Sequence, residues 1–178
     1  GDAGNYLAAL ASNAKGDGRG TLTEEPIALL VGGDISGIQD FIFTITAKGA
    51  ARTLRGRSFY LQLLTEAILR FVLRKLELPY TNVIYSGGGH FFLLAPLSSR
   101  ERLDKIQKQI TGTLLKHHGT SLYLALGSAV IPLRGFTDGH FPKYWGYMHR
   151  SLGIKKQQQE TNGVLPGHHC RELHAACP

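Results

Sequence analysis

The chain has 178 residues, 43% of them apolar, which is enough for one domain with a real core plus tails. Twenty Lys and Arg against 13 Asp and Glu give a net charge of +7, a balance that favours nucleotides or nucleic acid as partners but fits a merely basic surface equally well. No run approaches the roughly 20 apolar residues of a membrane helix, the N-terminus has no secretory pattern, and both cysteines, Cys170 and Cys177, lie in the last nine residues; a cytoplasmic protein with no disulfide framework and no membrane partner is expected.

A short helix is expected over 4–12, followed by a charged, glycine-rich linker from Lys15 to Gly20. Ile27 to Val31 is a continuous apolar run, read as a strand buried on both faces and ending at Gly32-Gly33-Asp34-Ile35-Ser36-Gly37. Ser36 is a good N-cap for an apolar helix from Ile38 to about Thr46. A second helix from about Arg57 to Leu76 carries a broad apolar face, and Pro79 closes it. Strands over 81–85 and 91–95 flank the glycine run Gly87-Gly88-Gly89. A third helix, capped by Ser98 or Ser99, runs to about His118, and 122–131 is the last clear strand. Residues 139–154 are helical in pattern, with Tyr144, Trp145 and Tyr147 read as packing residues, and 155–178 has no period. The order is βααββαβ, an α+β, ferredoxin-like palm: an antiparallel sheet with helices on one face.

Three constellations carry candidate chemistry. In Gly33-Asp34-Ile35-Ser36-Gly37-Ile38-Gln39 an acid precedes a small-residue turn into a helix, where backbone N–H groups suit phosphate and Asp34 suits a Mg²⁺ ion; simple capping by Asp34 and Ser36 explains the same residues. In the hairpin Ser86 to His90, two glycines would serve a tight turn, so the third leans towards a ligand cradle. Arg52, Arg55 and Arg57 crowd positive charge near a helix start, which an external phosphate or RNA backbone would relieve; a solvated basic turn is the alternative. The tail His168-His169-Cys170, His174 and Cys177 contains zinc-ligand types at no standard spacing, half of a zinc site at most. His117, His118 and His140 read as surface residues, and no Ser/His/Asp or Cys/His nucleophile set stands out.

Taken together, Gly33-Asp34-Ile35-Ser36-Gly37-Ile38-Gln39-Asp40-Phe41, Leu54-Arg55-Gly56-Arg57-Ser58-Phe59 and Tyr85-Ser86-Gly87-Gly88-Gly89-His90-Phe91 resemble the first palm domain of the large subunit of type III-A CRISPR effector complexes, over about residues 26–150. The resemblance implies a multidomain antiviral protein with an HD nuclease domain, a second palm that makes cyclic oligoadenylates, other effector subunits, and guide and target RNA as partners. On that reading 1–24 is a tail and linker from a preceding domain, 25–154 the palm, and 155–178 the start of a Cys/His-containing insertion or a disordered tail. The palm is similar to GGDEF-type cyclases: Gly87 and Gly88 stand for the two glycines, Gly89 for the aspartate and His90 for the glutamate, while Asp34 falls at the first metal aspartate. One carboxylate of a two-metal pair is therefore missing, and no catalytic residue is expected here. The implied role is half of a composite ATP–Mg²⁺ site, with Asp34, Ile35, Ser36, Gly37, Gln39, Gly87, Gly88, Gly89 and His90 against nucleotide, and Arg55 and Arg57 against phosphate or RNA. The competing reading is a scaffold palm that docks RNA and neighbouring domains without binding nucleotide.

Overall fold

A computed structural model describes residues 24–43, 50–118, 122–137 and 139–161. The expected helix at 4–12 and linker at 15–20, the end of the first expected helix, and the Cys/His tail lie outside these residues. The elements are β1 (Pro26–Ser36), α1 (Ile38–Phe43), α2 (Ala50–Leu76), β2 (Val83–Gly87), β3 (His90–Ala95), α3 (Arg100–His118), β4 (Tyr123–Pro132) and α4 (Phe141–Thr161). The four strands form one antiparallel sheet in the order β2-β3-β1-β4, the arrangement expected of a ferredoxin-like palm.

Alternation along each strand sends side chains to two different cores. On one face Leu29, Val31, Ile35, Phe91, Leu93, Leu124 and Leu126 meet Leu61, Leu69, Val72 and Leu73 of α2 and Leu103, Ile106, Ile110 and Leu114 of α3. The expected helices thus lie together on that face. The opposite face is also apolar, through Leu30, Phe92, Ala125, Ala129 and Ile131, and α4 covers it with Tyr144, Met148 and Leu152. Helices on one face alone therefore describe only α2 and α3. Tyr144 and Trp145 pack as expected, whereas Tyr147 is exposed.

Beta1 runs five residues further than its apolar pattern suggests, through Gly32, Gly33, Asp34, Ile35 and Ser36. The glycines here are places of close approach. A Cβ on Gly33 would fall 2.1 Å from the Phe91 ring, and one on Gly32 2.2 Å from the Met148 sulfur. Gly32 pairs in register with Gly127 of β4, where a Cβ would meet the backbone nitrogen of Leu152 at 2.5 Å. The two side-by-side glycines form a saddle on which α4 rests.

Beta4 is an edge strand, and its outer edge is capped by side chains. Gln107 Oε1 accepts from Leu126 N–H at 2.7 Å, Ser151 Oγ accepts from Ser128 N–H at 3.1 Å, and Gln159 donates to Leu124 C=O at 3.2 Å. These bonds satisfy backbone groups that would otherwise invite another strand.

Candidate functional site: the Asp34–His90 end of the sheet

The two segments singled out by the sequence meet. Asp34 of β1 is the register partner of His90 of β3, and Ile35 N–H donates to Gly89 C=O at 2.9 Å. The Gly88-Gly89 bend of the β2–β3 hairpin therefore abuts the end of β1. Both residues have positive φ, 59° and 85°, the signature of a two-residue primed turn that only glycine enters without strain. Gly89 is buried, and a Cβ there would strike Ile38 Cδ1 at 2.2 Å. Gly87 belongs to β2, and a Cβ on it would lie 2.8 Å from the Tyr85 hydroxyl. The third glycine thus lies beneath the end of the exposed Tyr85 side chain.

Asp34 and His90 both project to the α4 face. Asp34 is 7% exposed at its side chain, and its Oδ2 lies 3.2 Å from His90 Nε2; the same oxygen forms an ion pair with Lys156 of α4. His90 is half-exposed, and its Nδ1 lies 3.1 Å from Gly88 C=O. Sequence reasoning misses Lys156. It lies one turn after Leu152 and two after Met148, so the glycine saddle that seats those residues also delivers its ammonium group to Asp34. Lysine four residues beyond an apolar helix position is a common pattern, and only the tertiary contact gives it meaning.

The remaining candidates divide. Ile35 has its side chain in the main core and its N–H committed to Gly89, so it offers neither to a ligand. Ser36 is the last residue of β1 rather than a residue outside it, and Gly37, with φ 85°, is the one whose carbonyl accepts the first helical bond, from Phe41 N–H at 3.0 Å. The cap thus falls one residue later than expected. Gln39 is exposed on α1, and Arg55 is exposed on α2. Arg57 donates to Phe41 C=O and lies over the Phe41 ring, 5.3 Å from its centre, tying α2 to α1. This bond and ring contact engage part of its guanidinium within the fold. Alpha2 begins seven residues before the expected Arg57, so Arg55 and Arg57 lie beyond its first turn.

His118 is not a plain surface residue. It accepts or donates at 2.9 Å with the Tyr60 hydroxyl and packs edge-on against Phe41, and its pKa is lowered, first by partial burial and then by the neighbouring His117.

Asp34 Oδ2, the candidate magnesium ligand, faces an ammonium and an imidazole, so a cation at that oxygen would meet the Lys156 charge. Among the described residues no three His, Cys, Asp or Glu side chains gather as a metal set. The candidate zinc ligands Cys170, His174 and Cys177 lie outside the described residues. No described helix is long and apolar enough to cross a membrane.

The family model "Csm1 subunit domain B" matches residues 27–163. The chain belongs to the Csm1 domain B family. Its match extends past the boundary expected at residue 154, as α4 does. A Methanocaldococcus jannaschii protein named CRISPR system single-strand-specific deoxyribonuclease Cas10/Csm1 (subtype III-A) is 38% identical over 135 residues, covering 74% of this chain and 17% of that protein. The protein of the same name from Thermococcus onnurineus is 37% identical over 168 residues, 89% of this chain and 21% of that one. The chain thus spans about a fifth of these relatives. Among solved structures, Csm1 of T. onnurineus superposes with a TM-score of 0.67 at 31% identity, covering 75% of this chain and 20% of that chain. A Csm1–Csm4 cassette in complex with AMPPNP gives 0.69 at 30% identity, covering 85% and 21%. The Csm1 domain B fold is therefore shared over both sequence and structure.

Proposed function

We propose that this domain is the catalytically incomplete palm of a type III CRISPR effector large subunit, supplying half of a composite ATP site for cyclic oligoadenylate synthesis in antiviral defence. The observation that carries this reading is the junction of Asp34 with His90 beside the Gly88-Gly89 bend. That junction places the end of β1, the start of α1 and the hairpin at one corner of the sheet. Nucleotide complexes among similar Csm1–Csm4 structures support a ligand of this class, and the same structures support other effector subunits as partners.

In this proposal Ser36, Gly37 and Gln39 form one wall and Gly87 to His90 the other, with Arg55 positioned for phosphate or RNA. The domain acts by binding and orientation. A second palm supplies the paired acids, and these, rather than Asp34, hold the magnesium that accompanies the triphosphate. The reaction is phosphoryl transfer, in which holding the attacking hydroxyl in line with the triphosphate is itself a large part of catalysis.

The test uses the full effector protein. Ser36→Ala and Gln39→Ala should lower oligoadenylate synthesis at least about tenfold while leaving RNA-guided assembly and melting temperature near wild type. A second reading, a scaffold palm that docks RNA and neighbouring domains, draws on exposed Phe59 and Leu63 of α2 and on Ile84 and Tyr85 of edge strand β2. Unchanged synthesis in both variants would favour the scaffold.

A further inference from the structure

The acid of a palm's first strand needs a positive partner, because a buried carboxylate without one is strongly disfavoured. Here the chain provides that partner itself. Asp34 Oδ2 meets Lys156 Nζ and His90 Nε2, while the Lys156 side chain is 35% exposed. Lys156 is not carried on a swinging loop. Its helix is fixed by Met148 and Leu152 over Gly32 and Gly127, by Lys155 paired with Asp104 at 2.8 Å, and by Gln159 bonded to Leu124 C=O at 3.2 Å.

A divalent cation at Asp34 would have to displace this ammonium or share the carboxylate with it. Like charges that close repel by several times thermal energy even at an effective dielectric of about 20. Magnesium also requires near-octahedral oxygen ligands, and a single carboxylate with two nitrogen groups on one of its oxygens is a poor start.

We propose that Lys156 is the built-in cation of this palm: it neutralises Asp34 in place of a divalent metal, so the domain binds no metal there. On the nucleotide reading given above, and only on it, the solvent side of the ammonium group is then available to a phosphate oxygen. The acid-free hairpin and the lysine on this view serve one end, a corner of the sheet that needs no metal.

Manganese, used as a paramagnetic stand-in for magnesium, tests this on the 178-residue chain by NMR. Adding Mn²⁺ to wild type should broaden the amide signals of Ile35 and His90 no more than it does in Asp34→Asn. Lys156→Met should bind Mn²⁺ at least about tenfold more tightly than wild type, with saturable loss of the same signals. That gain should vanish in the Lys156→Met/Asp34→Asn double variant.

Saturable broadening in wild type that Asp34→Asn abolishes would overturn the proposal, as would a folded Lys156→Met chain with no gain. If Lys156→Met does not fold, Lys156→Gln takes its place, and the wild-type comparison with Asp34→Asn decides independently of either. Nucleotide binding does not enter this measurement, so failure of the ATP reading and failure of the lysine assignment are separable.

Discussion

His118 closes α3 with its ring against Phe41 of α1 and Tyr60 of α2, and the three rings lie within 6 Å of one another between centres. Partial burial, followed by His117, holds its pKa below the ordinary imidazole value of about 6.5. The folded chain therefore takes up a proton here less readily than the unfolded chain does. The stability linked to the neutral ring is present above the ordinary value and is lost as pH falls through the folded value. Urea midpoints measured between about pH 7.5 and 5.5 should fall more for wild type than for His118→Phe, which keeps the ring contacts without the proton. Equal acid losses would show that the shift has no energetic consequence.

Alpha4 is positioned by small residues more than by large ones, and that can be measured at Gly127. A methyl there would meet backbone of Leu152, at 2.5 Å from N and 2.9 Å from Cα, which cannot rotate aside. Gly127→Ala should cost about 1–3 kcal/mol in urea unfolding, as overpacking does in dense cores. Gly112 on exposed α3 is the control: nothing lies within 4 Å of where its methyl would sit, so Gly112→Ala should gain about 0.5–1 kcal/mol of helix propensity. The same glycines explain what the sequence conceals. Gly32-Gly33 has the composition of a turn, so β1 reads as ending at Val31, yet the pair is strand because Phe91 and Met148 fill the space on either side. The α2 and α3 faces, the hairpin and the antiparallel order were legible because periodicity and turn chemistry are local. Asp34 opposite His90 was legible too, given the palm order. The partner that closes Asp34 was not, because Lys156 reaches it through the seating of a helix more than a hundred residues away. Arg57 illustrates the same limit: three basic residues suggest an external anion, and only the fold shows that one of them also bonds a carbonyl and lies over a ring.

At the scale of the whole molecule, α4 decides whether the sheet has one covered face or two. An antiparallel sheet can leave one face in water when that face is polar. Here the face under α4 carries Leu30, Phe92, Ala125, Ala129 and Ile131, and the helix supplies Tyr144, Met148 and Leu152 to cover it. It also supplies Lys156 to the buried acid and Ser151 and Gln159 to the edge of β4. Removing the helix would therefore do three things at once: expose an apolar face, strand a carboxylate and open a strand edge. A chain ending before Phe141 should lose solubility or bind a dye specific for exposed apolar surface, and β1 amides should lose most of their hydrogen-exchange protection. If that truncated chain instead remained monomeric, with β1 as protected as in the whole chain, the core formed by α2 and α3 would be sufficient alone, and α4 would be an accessory to the fold. The expected outcome is collapse of that protection, because the residues of α4 are the same ones that complete the sheet.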